Sequence, residues 1–94
     1  MKVLVTGGKG FVGKNLQKVR PDWSYVDSTN VNLLNQQWTF DYLEAMKPDV
    51  IVHLAATVAG IKANNEYPER FFFENVTMNL NVISSAIELG VPRV

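Results

Sequence analysis

Three glycines spaced three apart, Gly7, Gly10 and Gly13, follow directly on the apolar run Val3-Leu4-Val5 and open a helical pattern. A strand, a glycine-rich turn and a helix in that order can hold the pyrophosphate of a dinucleotide. Gly7 suits the tight turn. Gly10 puts no Cβ between the backbone and the phosphates, and Gly13 lets the helix lie close on the strand. The first N–H groups of the helix then face the anion, and the helix dipole favours its charge. The spacing is GxxGxxG rather than GxGxxG, and three glycines alone also fit an ordinary βα turn. Their place between a strand and a helix is what points to a nucleotide.

Further candidates lie downstream. Asp27 ends a second apolar segment about twenty residues after the glycines, where a carboxylate can accept hydrogen bonds from an adenosine ribose; its other role is to solvate a strand end. Lys9, inside the turn, can pair with a phosphate, including a ribose 2′-phosphate, or stand solvated. Asn32 and Leu33 can flank an adenine ring or form a surface loop. Ala55 and Ala56, small residues at the end of an apolar run, leave room for a flat cofactor. Asn75 can aim its amide at the cofactor loop. Asn64 and Asn65 can meet a polar substrate or serve turn chemistry. His53 is the single histidine; without a partner acid or nucleophile it makes no triad and reads as a core residue. No cluster has metal-ligand spacing, and the absence of cysteine excludes disulfides, thiolate metal sites and a cysteine nucleophile.

These residues need elements to place them. Residues 2–6 read as a buried strand. Residues 11–20 read as a helix with Val12, Leu16 and Val19 on one face, stopped by Pro21. Residues 23–27 read as a second strand, and 28–34 as a loop with a brief third strand around Val31, Leu33 and Leu34. Residues 35–46 read as a helix with Trp38, Tyr42, Leu43 and Met46 inward. Residues 50–56 form a nearly continuous apolar run, as in a central parallel strand. A long loop at 57–68 leads to a helix at 69–89, closed by Gly90, and 91–94 start another strand. That helix carries two apolar stripes, one through Phe72, Val76, Leu80, Ile83 and Ile87, the other through Phe71, Met78, Val82 and Leu89. One suffices to pack on a sheet; the other needs a further cover.

Alternating strands and helices imply right-handed crossovers and a parallel sheet, with expected order 3-2-1-4 and a ligand at the carboxyl ends of strands one and four. The 94 residues bound the chain to one domain at most. Zero net charge, with Lys and Arg scattered, argues against a nucleic-acid or anionic-membrane surface. The longest apolar stretch, 50–60, is too short for a bilayer and contains His53. No signal-peptide pattern opens the chain, and a cytoplasmic setting is expected.

The segments at 5–13 (Val-Thr-Gly-Gly-Lys-Gly-Phe-Val-Gly), 53–56 (His-Leu-Ala-Ala) and 75–82 (Asn-Val-Thr-Met-Asn-Leu-Asn-Val) together resemble the extended short-chain dehydrogenase/reductase family. The loop at 58–68, followed by Phe71 to Asn75, resembles the Val-Gly-Gly-Ile-x-x-Asn loop of members that epimerise and reduce a GDP-linked 4-keto-6-deoxy sugar; Ala59 replaces its first glycine. The resemblance implies a doubly wound α/β Rossmann sheet of which residues 1–94 are the cofactor-binding front part, ending as strand five begins. It implies NADP(H), with NAD as the alternative. Gly7, Gly10, Phe11 and Val12 would line the pyrophosphate, and Lys9 would meet the 2′-phosphate. Asn32 and Leu33 would meet adenine. Ala55, Ala56 and Val58 would flank the ribose and nicotinamide, with Asn75 supporting that wall. A nucleotide-sugar substrate for the intact enzyme and a homodimer through the 69–89 helix are implied too. The family's catalytic Ser or Thr and Tyr-x-x-x-Lys pair have no match: Tyr25, Tyr42 and Tyr67 are followed four positions later by Thr29, Met46 and Phe71. The chain is therefore expected to carry no catalytic residue of its own.

Overall fold

The computed structural model describes residues 1–56 and 68–94. In chain order its elements are β1 (Val3–Thr6), α1 (Phe11–Val19), β2 (Ser24–Val26), α2 (Gln36–Met46), β3 (Val50–His53) and α3 (Pro68–Leu89). All four residues of β1 are buried, as an interior strand of a parallel sheet requires. The sheet has the order β2-β1-β3. Both pairings are parallel, with Leu4 opposite Ser24 on one side and Ile51 on the other. Arg93 bridges Val50 in parallel, and its carbonyl accepts from the Ile51 N–H at 2.9 Å, so pairing begins on the far side of β3 as expected for 91–94.

The inner part of the expected order is present, but residues 31–34 form no strand. Asparagines satisfy the backbone locally there. The Asn32 side chain accepts from the Leu34 N–H at 3.1 Å, and the Asn30 side chain accepts from the Asp27 N–H at 3.0 Å. Backbone bonds from Asn30 and Val31 to the Asp27 carbonyl tighten the same turn. A segment whose N–H groups close on its own side chains has little left for a ladder. The expected apolar core of this segment is nonetheless real, because Val31 and Leu33 are buried.

α2 starts at an N-cap, Asn35, whose side chain accepts from the Trp38 N–H at 2.9 Å. It ends at Lys47 in the left-handed region, just before Pro48. Its inward face differs from the expected one. Thr39 and Leu43 are buried and Tyr42 and Met46 are partly so, while Trp38 is exposed. Thr39 can point inward because its hydroxyl donates to the Asn35 carbonyl at 2.8 Å. With Thr39 and Leu43 one turn apart on the inner face, Trp38 is turned outward.

α2 and α3 cover one face of the sheet. Leu4, Val26 and Ile51 from the strands meet Leu43 of α2 and Met78, Val82 and Ala86 of α3 in one cluster. Of the two apolar stripes on α3, the one through Met78 and Val82 is buried. Phe72, Val76, Leu80, Ile83 and Ile87 are exposed. On α1 the expected inward face is also largely open: Val12 and Val19 are exposed, Leu16 is half-buried, and Gly13 is the residue that is buried.

Candidate functional site

The carboxyl ends of the three strands open onto one cleft of about 560 Å³, within the range of roughly 300–1,000 Å³ usual for organic ligands. β1 contributes Thr6 and Gly7, β2 contributes Val26 and Asp27, and β3 leads into Leu54, Ala55 and Ala56. The floor is the turn from β1 to α1. Gly7 has φ +73°, a left-handed conformation, and a Cβ there would stand 2.8 Å from both the Ala55 nitrogen and the Leu54 carbonyl carbon. A Cβ on Gly13 would press into the backbone of Gly7 and Gly8. Both positions therefore demand glycine for internal reasons. Gly10 differs: among the described residues a Cβ there would meet only the Gly7 oxygen, at 3.3 Å. Gly10 is also the N-cap of α1 and offers no side-chain cap. The first N–H groups of α1 have no intrahelical partners, and among the described residues they are left for an external acceptor.

The β2 side of the cleft is charged. Lys9 Nζ lies 3.8 Å from Asp27 Oδ1, with the lysine side chain well exposed. Asp27 also accepts from both the hydroxyl and the N–H of Thr29. These two bonds, the hydroxyl first, hold the Asp27 carboxyl below the usual carboxylate range, with Lys9 adding less. Beyond them the wall turns apolar through Val31, Leu33 and Leu34. This graded lining suits a dinucleotide: backbone donors for phosphate, a charged edge for a ribose and an apolar slot for a base.

Eleven of the residues expected to touch a cofactor line this one cleft: Gly7, Lys9, Gly10, Phe11, Val12, Gly13, Asp27, Asn32, Leu33, Ala55 and Ala56. Asn75 lies on α3, half-buried and outside the lining. Val58, Asn64 and Asn65 fall outside the described residues.

Four residues without a site signal in the sequence, one of them expected in the core, hold the cleft's walls. Asn81, buried on α3, donates to the Leu33 carbonyl at 2.8 Å and ties down the apolar slot. The Thr6 hydroxyl oxygen accepts from the N–H groups of Leu54 and Ala55. His53 stands between Thr6, 2.7 Å away, and Asn79 of α3, 2.8 Å away. Burial pushes the His53 imidazole below its ordinary value, against a smaller opposing effect of the Asn79 bond. The one sequence signal for these contacts was the Asn-rich run 75–82, which has polar residues on a helix face that must meet the core.

A parallel sheet with a glycine-cradled cleft at its carboxyl edge defines a dinucleotide-binding α/β fold. The family model for the NAD dependent epimerase/dehydratase family matches residues 3–94, and the chain belongs to that family. It is similar to the GDP-L-fucose synthase of Azorhizobium caulinodans, at 40% identity over 96% of this chain and 30% of the relative. It is similar also to the GDP-L-fucose synthase of Dictyostelium discoideum, at 38% identity over 97% of this chain and 31% of the relative. The chain thus spans about a third of the length of these relatives. Among solved structures, a GDP-L-fucose synthetase from Naegleria fowleri bound to NADP superposes with a TM-score of 0.82 at 29% identity, over 95% of this chain and 28% of that one.

Proposed function

We propose that the chain is the NADP(H)-binding part of a cytoplasmic enzyme that epimerises and reduces a GDP-linked 4-keto-6-deoxy sugar, as GDP-L-fucose synthases do. The observation that carries the reading is the cleft itself. Glycine backbone, the uncapped start of α1, the Lys9–Asp27 edge and the apolar slot follow one another in the order phosphate, ribose, adenine. The Naegleria structure bound to NADP supports the choice of cofactor, and Lys9 supports it as a cation able to meet a 2′-phosphate. Gly7, Gly10, Phe11 and Val12 would hold the pyrophosphate, Gly13 would let α1 pack close behind the turn, and Asp27, Asn32 and Leu33 would lie around the adenosine. Ala55, Ala56 and Val58 would flank the nicotinamide half, supported by Asn75.

The nicotinamide group, when bound, supplies hydride chemistry at a keto carbon; these residues bind and orient it. Asn64 and Asn65 would face the nucleotide sugar. The exposed stripe of α3 would be covered in a homodimer. Binding is tested by calorimetry with NADP⁺ and NAD⁺. Saturable one-site binding of NADP⁺ is expected, and no binding of either would overturn the reading. The enzymatic part is tested by reading the coding frame past Val94. A Ser followed by Tyr-x-x-x-Lys supports it, and a stop codon favours a non-catalytic dinucleotide-binding module.

A further inference from the structure

A hydrogen-bond chain runs behind the cleft from β1 through β3 to α3. The Thr6 hydroxyl oxygen accepts from the Leu54 N–H at 3.0 Å and from the Ala55 N–H at 3.1 Å. The same oxygen lies 2.7 Å from Nδ1 of His53. A hydroxyl has two acceptor sites and one hydrogen. Both acceptor sites are filled, so the hydrogen goes to the imidazole. Nδ1 therefore accepts, and the neutral ring carries its proton on Nε2. That N–H donates to Asn79 Oδ1 at 2.8 Å. A proton on Nδ1 would instead face the Thr6 hydrogen.

The chain has a consequence for the cleft. Leu54 and Ala55 lie past the end of β3, so no ladder holds their N–H groups; Thr6 does. Their backbone is also the surface against which Gly7 lies, so close that a Cβ on Gly7 would stand 2.8 Å from it. The separation of the glycine turn from the Leu54–Ala55 wall is thus set by Thr6, and the orientation of the Thr6 hydroxyl is set by His53.

We propose that His53 is a positioning residue: held as the Nε2–H tautomer between Thr6 and Asn79, it fixes the Leu54–Ala55 backbone against Gly7 and so sets the cleft for a dinucleotide. The positioning role rests on the dinucleotide reading above; the tautomer does not. Because His53 is the only histidine, ¹⁵N-labelled histidine gives a single ring spin system in the chain. Long-range ¹⁵N–¹H correlation at pH 7 is expected to show the Nε2–H tautomer. An Nδ1–H tautomer or a charged ring would overturn the relay whether or not any cofactor binds.

The second arm measures NADP⁺ affinity by calorimetry. Asn79 is exposed, so its variants leave the core intact. Asn79→Ala is expected to weaken NADP⁺ binding by about three- to tenfold, the loss of one neutral hydrogen bond. Asn79→Gln keeps a neutral amide oxygen as acceptor at this exposed position and is expected to restore affinity to within about twofold. Equal affinity for wild type and Asn79→Ala, or failure of Asn79→Gln to restore it, would overturn the positioning role. A wild-type chain that binds no NADP⁺ would overturn the dinucleotide reading and the positioning role with it, while the ring spectrum still reports on the relay.

Discussion

Asn81 on α3 donates a 2.8 Å hydrogen bond to the carbonyl of Leu33, 48 residues earlier in the chain, and both residues are buried. This bond anchors an irregular segment that no ladder supports to the longest helix. Asn81→Ala leaves the carbonyl buried without a partner, and stability is expected to fall by about 1–3 kcal/mol in urea titration. NADP⁺ affinity should fall in the same variant, because the slot formed by Val31 and Leu33 loosens. A variant as stable as wild type would show that water replaces the amide.

The glycines of the turn are expected to separate into two kinds. Gly7→Ala meets both a left-handed φ and backbone atoms at 2.8 Å. The conformation alone costs about 1–2 kcal/mol, and the contact adds to it, so the variant should be severely destabilised by circular dichroism melting. Gly10→Ala meets one oxygen at 3.3 Å and should melt close to wild type while losing NADP⁺ affinity. Retained affinity in a folded Gly10→Ala chain would remove the pyrophosphate from this turn.

The Lys9–Asp27 pair is exposed at the lysine end and 3.8 Å long, so breaking it should cost little stability, about 0–1 kcal/mol. Its effect should appear in cofactor choice. Lys9→Ala is expected to lower affinity for NADP⁺ by about tenfold or more, the size of a lost charge-assisted bond, and to leave NAD⁺ almost unchanged. Asp27→Asn removes a negative charge near the ribose and should move the preference further toward NADP⁺. Tighter binding of NAD⁺ by wild type, measured by calorimetry, would reverse the assignment.

His53 makes a definite contribution to pH dependence. Its folded pKa lies below the ordinary value of 6.5 because the charged ring is disfavoured by burial. Above pH 6.5 the ring is neutral in both states, and the stability is fully present. As pH falls below 6.5 the unfolded chain takes up the proton first, so stability declines until the folded ring titrates, at no more than about 1.4 kcal/mol per pH unit. Urea midpoints between pH 7.5 and 5 should fall for wild type and fall less for His53→Gln. Parallel slopes would show that other groups carry the effect.

The open stripe of α3 should drive self-association. Leu80 is 61% exposed and Ile87 75% exposed on one helix face, a patch that isolated monomers rarely present. Sedimentation is expected to find dimers or larger species, reduced by Leu80→Glu with Ile87→Glu. A concentration-independent wild-type monomer would refute this.

Much of the fold was legible because it rests on local signals. Continuous apolar runs marked β1 and β3, Pro21, Pro48 and Gly90 marked element ends, and the glycine spacing marked the βα turn. What failed did so where side chains override pattern. Asparagine turns replaced a strand at 31–34. Thr39, satisfied by its own helix, took the inward place given to Trp38. The apolar face of α1 finds little to cover it among the described residues. The His53–Asn79 contact joins residues 26 apart, and no periodicity announces such a pairing.

The place of β1 also shapes how the chain must fold. β1 precedes both of its partners in the chain, yet it lies between them in the sheet, paired with residues from Ser24 and from Val50 onward. Its apolar Val3-Leu4-Val5 can find no lasting neighbour until much of the chain exists, and closing those long loops precedes any gain from pairing. Pairing of β1 should therefore come late in folding. The segment is exposed meanwhile, and the charge of Lys2 beside it discourages intermolecular pairing.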